Sequence, residues 1–453
     1  MVTEYDAPLV LIPQHFGSLI FDHRTSKYLP FDREATALLL RLRNEPFDSV
    51  IASEPDEARR DQMTRFFEHF YEQGFFTIDL RFAGRALALT PPTDHLAGPL
   101  AAHLEVAAAC NLRCIHCFAG ALPRKEQALT LSELDTLFAD MAAMGTFRLG
   151  LTGGEPLLRH DLFDIIDLAT AHGLHPCVTT NGLRITEKIA REFGKRELVW
   201  LNVSLEGATA ETNDPIRGEG TFDEVIERLK ILADHARFTL AFTIMSTNAR
   251  EVEACAELAY RVGADTAVFR PLYPVGTARQ HLDLMPTFDQ YSDALATLAA
   301  DSETDGSELC GIDPFSPATR DEALAVIYPN QGCGAGNTVC SISLSGDVNP
   351  CSFLGPRYAA ANVRQRSLSD IWHSSAGFQA IRALPDARET DGATFAGGCR
   401  ARSLILNGSI NAPDPWLATA QKPRRAGMAT GPATARHPLS VLEVTRRAPT
   451  RLA

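Results

Sequence analysis

The chain has no uninterrupted apolar run of about 18 residues, the length a helix needs to span a bilayer, so no membrane segment is expected. Its first residues, Met1 to Asp6, carry neither a basic n-region nor an apolar h-region. No secretory signal is visible there, which points to the cytoplasm. Positive charge is also in short supply. The 43 Lys and Arg face 56 Asp and Glu, a formal net charge of −13, which argues against a surface built to neutralise nucleic-acid phosphates. Cysteine is missing from residues 1–109 altogether. What remains, 45% apolar and 22% charged residues, is ordinary for a globular protein, and 453 residues correspond to about three domains.

The ten cysteines are therefore expected to be thiols that serve a metal or catalysis. Cys110, Cys114 and Cys117 form a tight triplet; Cys177 and Cys255 stand alone; Cys310, Cys333, Cys340, Cys351 and Cys399 occupy the last third. The isolated Cys177 and Cys255 read as small buried apolar residues.

Residues 1–90 read as short strands and then helices. The apolar runs from Leu9 to Ile12, Ser18 to Phe21 and Tyr28 to Phe31 are strand-like. Asp32 caps a helix from Arg33 to Arg43, with Ala35, Leu38, Leu39 and Leu42 at helical spacing. A second helix runs from about Asp56 to Gln73 and stops at Gly74, and Phe75 to Ile78 returns to strand. Residues 91–99 are rich in Pro and Gly and read as a linker.

From 100 to 304, strand-like runs begin at Leu104, Arg148, Pro176, Val199, Thr239 and Thr266, separated by helices such as Ser132 to Met144, Asp161 to Ala171 and Phe222 to His235. This alternation predicts a parallel α/β sheet, open or closed into a partial barrel, with its ligand site at the carboxyl ends of the strands. Residues 305–417 carry few helical signals and hold the late cysteines. The basic segment 418–453 has little to bury and reads as disordered.

Cys110-x3-Cys114-x2-Cys117 lies just after the first strand of the β-α zone. Three thiolates at this spacing can converge on a four-iron cluster and leave one iron open, the mark of a reactive centre. A zinc knuckle completed by His116 fits the same spacing. The stretch C-N-L-R-C-I-H-C resembles the signature of the radical S-adenosylmethionine (SAM) enzymes, with His116 where that family often has an aromatic ring. Gly153-Gly154-Glu155-Pro156, Thr180-Asn181-Gly182 and Ser204-Leu205-Glu206-Gly207 follow at the ends of the next three strands and match further motifs of that family. The resemblance implies a [4Fe-4S] cluster on Cys110, Cys114 and Cys117. It also implies a SAM site formed by Gly153, Gly154, Glu155 and Pro156, with Thr180, Asn181 and Ser204 on the ribose and methionine side. Arg217 is expected to face the SAM carboxylate, and Arg270-Pro271 to lie near the adenine. The implied chemistry is reductive cleavage of SAM to a 5′-deoxyadenosyl radical, which takes a hydrogen atom from the substrate.

The later segments Cys333-Gly-Ala-Gly-x2-Val-Cys340, Gly346 to Cys351 and Gly397-Gly398-Cys399 resemble the SPASM extension of radical SAM peptide-modifying enzymes. A four-cysteine zinc site would use the same ligand count. The family's remaining cysteines are missing: Phe395 and Trp416-Leu417 stand where they would be, and Ser352 replaces an Asp that some relatives carry after the third cysteine. The resemblance implies one auxiliary iron-sulfur cluster on Cys333, Cys340, Cys351 and Cys399, with the second cluster lost. Cys310 is left without an assigned role.

Residues 1–90 resemble the leader-peptide recognition domain of peptide-modifying systems, whose strand edge a peptide extends through main-chain hydrogen bonds. The expected architecture is a partial (β/α)6-type radical SAM barrel with a small α+β winged-helix-like N-terminal domain and a cysteine-rich C-terminal extension. The expected partners are a precursor peptide and a flavodoxin- or ferredoxin-type reductant. The three-part order points to a maturase of ribosomally made peptides, of the mycofactocin or pyrroloquinoline-quinone type. Two alternatives keep part of this reading: a radical SAM maturase of a tetrapyrrole, and a non-catalytic iron-sulfur peptide-binding protein.

Overall fold

The computed structural model describes residues 7–120, 125–305, 309–311, 333–384 and 398–420. The expectations for Phe395 and for residues beyond 420 lie outside them. The chain opens with an antiparallel meander, β1 (Leu9–Gln14), β2 (Gly17–Asp22) and β3 (Lys27–Asp32), followed by helices α1 (Arg33–Leu42), α2 (Phe47–Ala52) and α3 (Glu57–Glu72). Strand β4 (Gly84–Ala86) then pairs parallel with β1, giving the order β3-β2-β1-β4. Asp32 caps α1 by accepting the Ala35 N–H at 2.8 Å.

Strands β1 and β2 are buried on both faces because both are covered. Leu9, Leu11, Ile20 and Phe31 pack with Leu39, Phe67 and Phe70 from the domain's own helices. Val10, Ile12, Leu19 and Phe21 belong to the core of the rest of the molecule. Phe21 stacks on Phe147 with ring centroids 4.8 Å apart. The Tyr28 hydroxyl donates to Gly145 O at 2.9 Å and accepts the Phe147 N–H at 2.7 Å. The N-terminal sheet is thus bolted to the amino end of the barrel strand that starts at Arg148.

The barrel alternates as expected: β5 (Ala101–Ala107), α4 (Leu131–Ala143), β6 (Arg148–Gly153), α5 (Leu162–Ala171), β7 (His175–Thr180), α6 (Glu187–Gly194), β8 (Trp200–Leu205), α7 (Ala210–Arg217), α8 (Thr221–Ala233), β9 (Thr239–Ile244), α9 (Val252–Arg261), β10 (Thr266–Pro271) and α10 (Phe288–Asp305). Strands β5 to β10 are parallel neighbours in chain order, so the sheet is singly wound and open rather than a closed barrel. Strand β11 (Leu309–Gly311) extends one edge, alongside β10. At the other edge β12 (Val339–Ile342) pairs parallel with β5, and β13 (Asp347–Asn349) and β14 (Ala361–Asn362) continue antiparallel. Helices α11 (Leu368–Ser374), α12 (Ala376–Arg382), α13 (Arg400–Asn407) and the short α14 (Leu417–Ala420) follow in the C-terminal region.

Two readings of the sequence need correction. Phe75 to Ile78 is not a strand: Phe76 forms an isolated bridge with Phe82, Leu80 takes a left-handed φ of 59° and Ile78 projects outward, 95% exposed. The segment folds back on itself within a few residues, too tightly for a ladder. The C-terminal region is also more helical than its pattern suggested. Helices α11 and α12 have seven residues each, too few to show a helical period, and form because Leu368, Ile371, Trp372 and Phe378 bury together against the barrel.

Candidate active site

Side chains alternate along each barrel strand, so every second residue enters the core behind the sheet while its neighbours face inward. Leu104, Leu151, Val178, Val203 and Leu240 point outward into the apolar core. His103 on β5, Thr152 on β6, Thr179 on β7, Ser204 on β8, Thr243 on β9 and Arg270 on β10 line a chamber of about 300 Å³. Cys110, Cys114 and Cys117 border the same chamber. Its floor includes Cys177, whose sulfur accepts from Asn202 Nδ2 at 3.5 Å. Cys255 is instead buried in the apolar core.

The glycines of Gly153-Gly154 act on their own chain first. Gly153 has a φ of 132°, and a Cβ on Gly154 would sit 2.0 Å from Ala109 O. That closeness lets Gly154 N–H donate to Ala107 O at 2.9 Å and Glu155 N–H donate to Ala109 O at 2.8 Å. The end of β6 is thereby stitched to the segment that leads into Cys110. Glu155, 1% exposed, accepts from Thr180 Oγ1 at 2.6 Å, the Asn181 N–H at 2.7 Å and the Leu157 N–H at 3.0 Å. Burial pushes its carboxyl above the usual range against the pull of these donors. Asn181 Nδ2 reaches Asn111 Oδ1 at 2.8 Å and Cys110 Sγ at 3.8 Å. Glu155, Thr180, Asn181 and Cys110 thus form one polar chain. Pro156 is buried at the start of a short 3-10 turn and does not line the chamber.

Arg217 is drawn into a partnership that the sequence did not disclose. Its guanidinium meets Glu206 Oε1 at 3.0 Å, and His116 Nε2 lies 3.0 Å from the same oxygen. Glu206 also accepts the Thr243 N–H at 2.9 Å. Burial pushes the Glu206 carboxyl up, but His116, Arg217 and that N–H outweigh it and hold it below the usual range. The three side chains come from the cysteine loop, the end of β8 and α7, and they fix these elements to one another. Burial pushes the free thiol of Cys114 up to about 11, so a cationic metal centre is what would make it a thiolate.

A second clamp holds the cysteine loop from above. Thr277 N–H donates to Cys117 O at 2.9 Å, and its hydroxyl donates to Cys114 O at 3.2 Å and Cys117 O at 3.0 Å. Gly276 beside it has a φ of 60°, and a Cβ there would come 2.2 Å from Cys117 O. Nothing in the local sequence distinguishes this Gly-Thr pair from an ordinary turn.

Beyond the chamber wall, Cys333, Cys351 and Cys399 share one apolar cluster with Phe118, Tyr273 and Phe353. Cys340 lies on β12 and packs into the barrel core instead. The Cys351 sulfur accepts the Phe353 N–H at 3.5 Å, and Cys399 N–H donates to Asp414 Oδ2 at 2.7 Å. Arg402 pairs with that same oxygen at 2.8 Å and lies over the Trp416 ring at 3.5 Å. Trp416, which follows Asp414-Pro415 in place of the family's cysteine, fills that position by stacking. Among the described residues no three His, Cys, Asp or Glu side chains are gathered tightly enough to hold a single metal ion. No helix among them is long and apolar enough to cross a membrane.

Comparison with known proteins matches residues 104–259 to the radical SAM superfamily and residues 333–400 to the SPASM iron-sulfur cluster-binding domain. The chain is 32% identical to the mycofactocin maturase MftC of Mycobacterium tuberculosis over 329 residues, 71% of this chain and 83% of the relative. It is 30% identical to the PqqA peptide cyclase of Rhizobium meliloti over 330 residues, 70% and 86% of the two chains. An AdoMet-dependent heme synthase of Methanosarcina barkeri is 28% identical over 69% of this chain and 94% of that protein. Among solved structures, SuiB of Streptococcus suis bound to S-adenosylmethionine superposes with a TM-score of 0.68 at 15% identity, covering 90% of this chain and 98% of that one.

Proposed function

The chain belongs to the radical SAM enzymes that carry a SPASM iron-sulfur cluster-binding domain, and from that membership we propose that it matures a ribosomally made precursor peptide by C–H abstraction. One observation carries the reading: a single chamber exposes Cys110, Cys114 and Cys117 beside Gly153, Gly154, Glu155, Thr180, Asn181 and Ser204.

The residues fit the implied cofactors. Cys110, Cys114 and Cys117 would hold the [4Fe-4S] cluster. The Cys110 sulfur already accepts the Leu112 N–H at 3.4 Å, a contact that stabilises a thiolate. Gly153 to Pro156, Thr180, Asn181 and Ser204 would hold SAM. Pro156 would do so indirectly, by setting the turn that buries Glu155. Arg217 would add its positive charge while remaining paired with Glu206. Cys333, Cys351 and Cys399, which share one apolar cluster, would hold the auxiliary cluster together with Cys340, which packs on the barrel-core side. When bound, cluster and SAM supply a carbon radical that removes a hydrogen atom from the substrate. The protein's part is positional: Glu155 keeps the ends of β6 and β7 together, the Thr277 clamp fixes the cysteine loop, and the curved sheet encloses the reacting carbon.

The peptide substrate rests on the names of the two maturase relatives and on the N-terminal domain. Strand β3 pairs with β2 on one side, and among the described residues its other edge is unpaired. Residues 1–90 would bind the leader there by strand addition. A flavodoxin- or ferredoxin-type protein would supply the electron, and the cytoplasm would be the site of action.

The test is anaerobic reconstitution with iron, sulfide, reductant and SAM, followed by mass spectrometry of a precursor peptide encoded beside this gene. Formation of 5′-deoxyadenosine together with a mass change in the peptide, both lost in Cys114→Ala, is the expected result. If wild type and Cys114→Ala give the same products, the reading is wrong.

A further inference from the structure

Arg270 and His103 both reach into the chamber, from strands at opposite ends of its six-stranded wall. Among the described residues Arg270 forms no side-chain hydrogen bond or ion pair. The Arg270 side chain is exposed to the chamber, where its planar fork can meet an anionic ligand. Its field is felt at His103, which opens to the chamber and whose pKa is pushed down to about 4, first by desolvation among the barrel residues and then by Arg270. His103 is therefore neutral at pH 7, and of these two side chains only Arg270 carries a charge. The His103 ring lies over Gly150, where a Cβ would approach it to 3.1 Å, and its Nδ1 meets Ser352 Oγ at 3.3 Å. Beside them the wall is aromatic: Tyr273 stacks on Phe353 at 4.5 Å and Phe118 meets Phe353 edge-on at 5.9 Å.

We propose that Arg270 and His103 form a carboxylate-binding site in the chamber, and that it holds an acidic side chain or the terminal carboxylate of the peptide substrate. The Ser352 hydroxyl donates to His103 Nδ1, which leaves the ring proton on Nε2 as a second donor to the anion. Arg270 supplies the charge and the planar fork that suits a carboxylate. The aromatic wall receives the apolar part of the same residue. Assignment to a peptide rests on the maturase reading; the carboxylate chemistry rests on the chamber alone. SAM carries a carboxylate of its own and is the other source to be distinguished.

The reconstituted protein is titrated with benzoate, with benzamide and with SAM, by saturation-transfer NMR and equilibrium dialysis. Benzoate is expected to bind at least tenfold more tightly than benzamide, to lose at least tenfold in Arg270→Gln, and to recover in part in Arg270→Lys. The circular-dichroism spectrum and thermal midpoint of Arg270→Gln are expected to match wild type, which shows that the variant is folded. Equal binding of benzoate and benzamide, or no effect of Arg270→Gln, overturns the site. A tenfold loss of SAM affinity in Arg270→Gln, with SAM and benzoate competing, overturns the substrate assignment and gives the site to SAM. If benzoate binds as expected but no peptide is modified, the maturase reading fails and the carboxylate site stands.

Discussion

A Cβ on Gly276 would lie 2.2 Å from the carbonyl oxygen of Cys117. The loop after β10 therefore presses on the cysteine loop with no room for a side chain, and backbone on both sides leaves nothing to yield. Gly276→Ala is expected to displace the Cys114–Cys117 turn and to lower iron bound at the first site by at least half. Thr277→Val, which keeps the N–H bond to Cys117 O and loses only the hydroxyl contacts, should have a smaller effect. Iron and sulfide analysis with absorbance near 400 nm measures both.

The ion pair between Arg217 and Glu206 is buried, with side chains 5% and 2% exposed. Removing the acid leaves a buried cation without its partner. Glu206→Gln is expected to destabilise the fold by about 3 kcal/mol, as for other broken buried pairs. The double variant Glu206→Gln with Arg217→Met should recover part of that loss. Denaturant unfolding under anaerobic conditions decides, and an unchanged midpoint in the single variant refutes the role of the pair.

Asp414 receives both the Cys399 N–H and the Arg402 guanidinium. Asp414→Asn is expected to weaken the auxiliary thiol set while leaving the triplet intact. Iron per chain should fall, and the signal that changes on SAM addition in electron paramagnetic resonance should persist. Loss of the SAM-responsive signal instead would place the effect at the wrong cluster.

His23 Nδ1 and His175 Nε2 share a hydrogen bond of 2.9 Å between the N-terminal sheet and β7. Burial, then Arg85, push the His23 pKa down to about 4, while Asp22 opposes them. The unfolded chain binds that proton at about pH 6.5, so in the window from 6.5 to 4 it holds more protons than the folded one. Stability is full above pH 6.5 and falls as the pH drops through this window. The thermal midpoint should fall between pH 7 and pH 5, and His23→Gln should flatten that slope. Equal slopes in the two proteins would refute the linkage.

The barrel was legible because short apolar runs alternate with helices of clear period, as with Arg148 to Leu151 before Asp161 to Ala171. The thiol triplet and Gly-Gly-Glu-Pro were legible because function fixes their spacing. What escaped was decided by contacts between distant segments. The sequence shows that Gly154 is a glycine, but only the fold shows that Ala109 O, not a ligand, occupies the space of its missing Cβ. Glu206 reads as a minor variant of a strand-end motif until His116 and Arg217 are seen to meet on it. Phe75 to Ile78 has strand composition, yet its chain turns back after the single bridge between Phe76 and Phe82.

Strand β12 joins the C-terminal region to β5 by a ladder that runs from Ala101 to Leu104. The two halves therefore share backbone hydrogen bonds, not merely a surface. Cutting the chain before residue 333 would uncover the flank of β5, a row of bare N–H and C=O groups beside apolar Ala102 and Leu104. A shortened protein made to isolate the barrel would carry an adhesive border that recruits strands from other molecules. The cysteine-rich segment thus serves as the seam that closes this border of the barrel.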